Sequence, residues 1–153
     1  MMRTAVLLAA LAATSAAADT ANLNVTANIQ GTCVIQSVQS VNFGDLQQGT
    51  TAPDKTVPGN ITYWCTKGAS YTVTLGMGNN PQGNIRRMKG QASTNQSEFL
   101  PYDLDYDGDD RGGVGKGPRS PERRNITGTV RGADYNALSV GGFQDTVVVT
   151  ITP

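Results

Sequence analysis

Ala21-Asn22-Leu23-Asn24-Val25-Thr26-Ala27-Asn28-Ile29-Gln30 alternates polar and apolar residues from Asn22 onward. Successive side chains of an extended chain point to opposite faces. Leu23, Val25, Ala27 and Ile29 therefore share one face, and Asn22, Asn24, Thr26, Asn28 and Gln30 the other. An apolar strand face requires burial. Alternation alone leaves two places for it. The segment is either the first strand of its own domain, with Gly31-Thr32 as a two-residue turn, or a free arm buried in a neighbouring molecule.

The stretch follows an export signal. Arg3 supplies a positive start, Ala5-Val6-Leu7-Leu8-Ala9-Ala10-Leu11-Ala12-Ala13 an apolar run, and Ala16-Ala17-Ala18 a small-residue cleavage site. Residues 1–18 thus read as a signal peptide, with the mature chain starting at Asp19. The run is shorter than the roughly 20 apolar residues that span a bilayer, so an exported protein not embedded in a membrane is expected. About 135 residues remain, enough for one domain with one core. Removing Arg3 from the 12 basic residues leaves 11 against 12 acidic ones. Such balance provides no steering toward nucleic acid or an anionic surface. The sequence contains no histidine, which removes Ser-His-Asp and Cys-His catalysis and most zinc sites. No enzyme activity, cofactor or metal is expected. The two cysteines, Cys33 and Cys65, read as one disulfide formed in an oxidising compartment. It would tie the first core strand to the second.

Beyond the signal, apolar residues recur at period two, and Gly and Asn punctuate the chain every ten or so residues. Strands are expected at 23–29, 32–38, 57–66, 71–75, 99–106, 125–131 and 146–152, with a short edge segment at Val41-Asn42-Phe43-Gly44. No helix is expected. The charged, Gly-rich segment 108–124 reads as a long exposed loop. About seven short strands and one disulfide indicate an all-β, immunoglobulin-like sandwich.

Several motifs then occur in a telling order. The alternating arm runs into Cys33. Val41-Asn42-Phe43-Gly44 follows, then Tyr63-Trp64-Cys65-Thr66-Lys67-Gly68 with Tyr71-Thr72-Val73-Thr74-Leu75, then Arg87-Met88. Next come Tyr102-Asp103-Leu104-Asp105-Tyr106 and Gly142-Phe143-Gln144-Asp145-Thr146-Val147-Val148-Val149-Thr150-Ile151. In this order they resemble the subunits of archaic (Csu-type) chaperone–usher pili, the spore coat protein U domain family. Asp105 and Phe143 depart from the family pattern. The resemblance implies an incomplete immunoglobulin-like sandwich completed by a donor strand from a neighbouring subunit. It implies residues 19–30 as the donor arm and 31–153 as the pilin domain. Leu23, Val25, Ala27 and Ile29 would be the donor residues, and Val147, Val149 and Ile151 would line the acceptor groove. Implied partners are identical or related subunits, a periplasmic chaperone and an outer-membrane usher. Implied locations are the periplasm during assembly and then the cell surface, with adhesion and biofilm formation as properties of the fibre.

The last expected strand places Val147, Val149 and Ile151 on one face and runs to Pro153, with no later strand to cover its outer edge. A long apolar edge invites pairing. Asp103-Leu104-Asp105-Tyr106-Asp107-Gly108-Asp109 has the spacing that opens a calcium loop, but Val114 stands at the twelfth position, where a bidentate Glu is needed. A strand with Tyr102, Leu104 and Tyr106 inward and the aspartates outward explains the same pattern. Paired acids for glycoside cleavage are weighed and set aside in favour of solvated carboxylates. Arg119, Arg123 and Arg124 form a basic cluster near Glu122. Two other readings stand beside the pilus one: a self-complete secreted sandwich binding calcium or glycan, and a spore or cell coat protein.

Overall fold

The structure, a computed structural model, describes residues 17–107 and 112–153. Most of the expected signal peptide, residues 1–16, lies outside the described residues, as do Gly108 and Asp109 of the candidate calcium loop. Strands β1 (Cys33–Gln39), β2 (Lys55–Cys65), β3 (Ser70–Leu75), β4 (Arg86–Gly90), β5 (Phe99–Tyr106), β6 (Gly112–Val114) and β7 (Glu122–Val130) are followed by a single helical turn, α1 (Gly132–Tyr135). Strands β8 (Phe143–Gln144) and β9 (Val149–Thr152) complete the order. Among the described residues one sheet runs β1-β2-β7-β5-β4-β8 and a second runs β6-β3-β9, all pairs antiparallel. The expected all-β, immunoglobulin-like architecture is what the chain adopts.

Period-two burial builds the core. Ile61, Tyr63 and Cys65 of β2, Tyr71 and Val73 of β3, and Leu100, Tyr102 and Tyr106 of β5 are all buried. They fall into two clusters, one around Tyr63 and one around Leu100 and Phe43, with Val41 and Leu104 packed against both. Val41 and Phe43 reach the inner face of the large sheet because β7 carries Gly128 beneath them. A Cβ at Gly128 would collide with both side chains. The segment expected as an edge strand at 41–44 is therefore no strand; it lies across the sheet as packing.

Three further expectations need correction. Strand β4 was hidden by its composition: Arg86, Arg87 and Lys89 flank a single apolar Met88, so no alternation is visible. The expected loop 108–124 contains β6 and the start of β7. Gly113 of β6 lies against the Tyr71 hydroxyl, where a Cβ would approach to 2.6 Å, so glycine here serves close packing within a strand. The last strand begins at Val149, three residues late, although Gly76 N still donates to Val148 O (2.8 Å). The turn α1 is too short to show helical periodicity.

The sulfurs of Cys33 and Cys65 are bonded at 1.98 Å. The two residues are also register partners, so the disulfide ties the start of β1 to the end of β2.

Candidate functional site

Among the described residues, strand β1 pairs only with β2, and β9 only with β3. Strands β1 and β9 approach each other, and among the described residues no strand lies between them. Strand β1 shows what this leaves open. Ile35 is opposite Tyr63 and Val38 is opposite Ile61. Residues directly opposite share a face, and Tyr63 and Ile61 are both 0 % exposed. Ile35 and Val38 thus point inward, yet they are 37 % and 55 % exposed. A bulge between Ile35 and Ser37 brings Val38 to this face; uninterrupted alternation would turn it outward. On the facing wall Val149 and Ile151 pack against the Tyr63 cluster, and Val147 against the Phe43 cluster.

The groove deepens into two cavities. One, of about 340 Å³, is lined by Val38, Leu75, Leu104, Ile126, Val147 and Val149 among others. The other, of about 820 Å³, lies between residues 41–48 and 138–143, with Met88 and Leu100 beneath. Of the three expected acceptor residues, Val147 and Val149 line the smaller cavity, and Ile151 packs against the Tyr63 cluster instead. Sequence reasoning missed the opposite wall, Ile35 and Val38, and the floor, including Met88, Tyr102 and Leu104.

Polar contacts tie the elements around the groove together. The Tyr102 hydroxyl donates to Asp145 Oδ2 (2.6 Å), and Asn79 N donates to Asp145 Oδ1 (2.8 Å). Gly78, at φ +81°, leaves the space that this carboxylate occupies. Burial, then the Asp145 hydrogen bond and charge, push the Tyr102 hydroxyl far above its ordinary pKa, which keeps it a donor. Arg86 donates to Gly76 O (2.8 Å) and Leu75 O (3.1 Å), joining β4 of the large sheet to the end of β3 in the small one. At the other end Gln48 Nε2 donates to Tyr135 O (2.9 Å) and Leu138 O (2.6 Å). Asp145→Ala leaves the Tyr102 hydroxyl, Asn79 N and the more distant Asn80 Nδ2 (3.5 Å) without their charged acceptor. The expected loss is about 2–3 kcal/mol, read as a lower urea midpoint with unchanged slope, and Asp145→Asn should lose less.

The arm is not in this groove. Residues 17–32 carry no helix or strand, and Leu23, Val25 and Ile29 are 88 %, 85 % and 83 % exposed. Ala27 is exposed as well. The Gly31-Thr32 turn that would fold the arm onto β1 is not formed. Thr32 N instead donates to Thr66 Oγ1 (3.0 Å). The chain thus carries an unfilled apolar groove and an unburied, alternating apolar arm.

The Spore Coat Protein U domain family matches residues 19–150. The chain belongs to that family. It is 34 % identical to Protein U of Myxococcus xanthus over 170 aligned positions, which cover 95 % of this chain and 90 % of that protein. Among solved structures it resembles a chain of the CsuC–CsuE chaperone–tip adhesion subunit pre-assembly complex from archaic chaperone–usher Csu pili of Acinetobacter baumannii. The TM-score is 0.54 at 27 % identity, over 80 % of this chain and 40 % of that chain. The resemblance to Csu-type pilus subunits therefore holds in sequence and in fold.

The other candidates in this family member have local partners. Asp103 accepts from Arg131 (3.0 Å), Asp107 accepts from Asn125 (2.9 Å), and Asp105 Oδ1 accepts from Tyr106 N (2.9 Å). Among the described residues no group of three or more acidic or cysteine side chains could hold a metal. Of the basic cluster, Arg124 turns to the core. Its Nε donates to Tyr63 Oη (3.4 Å), which donates to Tyr71 Oη (3.0 Å), and that hydroxyl reaches Glu122 (3.3 Å). Burial and the Tyr63 hydrogen bond push Tyr71 up to about 12. This buried network joins β2, β3 and β7 and ties the two sheets together.

Proposed function

We infer that this protein is a structural subunit of an extracellular pilus that polymerises by donor-strand complementation. The observation that carries this reading is the inward-facing but exposed pair Ile35 and Val38 beside the unpaired edge of β9. A strand added between β1 and β9 would satisfy both backbone edges and cover both residues. The arm of a second copy has the required length and pattern. Burying Leu23, Val25 and Ile29 contributes roughly 1.5–3 kcal/mol each, enough for a durable joint. Because arm and groove are different surfaces of one chain, the contact is head-to-tail and generates an open filament unless its rotation closes.

On this reading a periplasmic chaperone shields the groove of each new subunit, and the arm of the next subunit replaces it at an outer-membrane usher. The fibre then stands on the cell surface, where adhesion and biofilm formation are its properties. The work is assembly rather than turnover.

Leu23→Asp with Ile29→Asp tests it. Both positions are exposed in the free subunit, so the fold should be unaffected, but the joint would bury two unpaired charges. Filaments seen by electron microscopy should disappear while chaperone binding persists. Normal filaments from the double variant would sink the reading. A coat protein built from the same domain is a second reading, favoured by the family's description. Surface images showing a continuous layer in place of thin fibres would select it.

A further inference from the structure

Among the described residues, basic and acidic side chains gather at opposite ends of the subunit. One end holds the root of the arm. Thr66 Oγ1 donates to Gln30 O (3.3 Å), and Gly31 lies beside Ala69 and Pro153. Lys67 follows Thr66, and its Cβ is 3.7 Å from where a Cβ on Gly117 would stand. Gly117 N donates to Cys65 O (2.9 Å) and Ser120 N to Gly117 O (3.0 Å), so Lys116 and Arg119 belong to the same end. Arg123 joins them as the register partner of Thr62. The described acids nearby already have partners. Glu122 lies 3.2 Å from Lys116 and 3.9 Å from Arg124, and Asp107 accepts from Asn125 (2.9 Å). Lys67, Arg119 and Arg123 are exposed and, among the described residues, form no ion pair.

Strand β2 leads from Cys65 back to Lys55 at the other end, a span of roughly 30 Å. There Lys55 Nζ donates to Asp45 O (3.1 Å), and Asp54 Oδ1 accepts from Gly132 N (2.8 Å) at the start of α1, which carries Asp134. Asp45 lines the larger cavity with Ser139, whose N donates to Glu98 (2.8 Å). Arg131 is taken by Asp103 (3.0 Å). That leaves Lys55 and Lys89 outnumbered by Asp45, Asp54, Asp134 and Glu98. Ends this far apart do not neutralise one another across a Debye length of about 8 Å. Each keeps its own sign although the mature chain is nearly neutral.

The joint inferred above brings two such ends together. The arm is rooted at the basic end, so that end of the donor faces the acceptor wherever the arm leaves the groove. Leaving beside Pro153 would set basic against basic, where the acceptor's own arm root also stands. Leaving between residues 41–48 and 138–143 sets basic against acidic. We propose that the basic end of one subunit, around Lys67, Arg119 and Arg123, docks on the acidic rim Asp45, Asp54 and Asp134 of a second copy. This rests on the donor-strand reading and adds a second contact to it. The contact orients the incoming subunit and speeds its capture, as opposed charged patches do. A free polyanion would suit the basic end alone; the matching rim on the same chain favours the copy.

Growth of filaments from the whole mature protein, followed by light scattering, tests the docking. For wild type, raising salt from about 20 to about 500 mM should slow growth about tenfold or more, because screening shortens the reach of both patches. Lys67→Glu with Arg119→Glu sets acid against acid, and Asp45→Lys with Asp134→Lys sets base against base. Each pair alone should slow growth about tenfold or more at low salt. The four substitutions in one chain restore opposite signs and should regain the wild-type rate and its salt dependence. Wild-type growth indifferent to salt, or a quadruple variant as slow as the pairs, overturns the docking while leaving donor-strand assembly intact. So does a Lys67→Glu/Arg119→Glu protein that grows normally yet no longer binds polygalacturonate, the result expected of a polyanion site. Wild-type protein that forms no filaments at any salt overturns both.

Discussion

Removal of the arm should leave a domain that melts at low temperature and that a peptide of residues 19–30 rescues. A chain beginning at Gly31 keeps the groove with Ile35 and Val38 exposed and with two unpaired sheet edges. Among the described residues from 31 onward, no strand fills that space. A peptide that binds only the folded state stabilises it by RT ln(1 + [L]/Kd), about 4 kcal/mol at a thousandfold excess over Kd. For a domain of this size that is a rise in Tm of about 10–20 °C. The same peptide with Leu23 and Ile29 both replaced by Asp should leave Tm where it was. Differential scanning calorimetry checks this directly. A shortened domain that is already stable and indifferent to the peptide would mean that the sandwich needs no added strand.

Loss of the disulfide should be comparably severe. Cys33→Ser with Cys65→Ser opens a loop with a sequence separation of 32, worth roughly 3–4 kcal/mol in the chain-entropy account. The location adds to this. Among the described residues strand β1 has a partner strand on one side only, and its inward Ile35 and Val38 stay exposed in the free subunit. The bond to Cys65 pins the start of β1 to the central strand β2. Without it β1 should fray and the groove wall should open. Faster amide exchange across 33–39 and weaker binding of the 19–30 peptide are the expected readouts. A reduced, serine-substituted domain with native exchange rates in β1 would show that the strand is held by its ladder alone.

Much of the fold was legible because burial in a sandwich imprints period two on the sequence. Strand β5 has the expected bounds, Phe99–Tyr106, since Leu100, Tyr102, Leu104 and Tyr106 alternate with polar or small partners. Strands β2 and β3 were displaced by only a residue or two for the same reason. Strand β4 left no such imprint, because Arg86 and Arg87 serve as connectors to the β3 side and to the 80–82 loop, and Arg87 also lies over the Phe99 ring at 4.3 Å. Strand β6 was illegible because its Gly113 answers to the neighbouring Tyr71 ring rather than to a turn.

The candidate site divides in the same way. Alternation in the arm and in the last strand identifies two apolar faces in want of burial, and these residues are read from order alone. The other wall was not readable. Val38 faces the groove only because the ladder slips between Ile35 and Ser37, and a slip of one residue depends on how β1 sits against β2. The packing of Val41 and Phe43 on Gly128 is a still longer-range product, made across a loop and a sheet.

By itself the sequence determined the all-β class, the cysteine pair and the apolar face of the arm, because each depends on residue type and local spacing. Only the tertiary structure decided that the chain's own arm stays out of the sandwich, and that β1 and β9 each keep an edge without a partner strand among the described residues. Those facts depend on which edges are paired and which surfaces meet. No spacing along one chain encodes them.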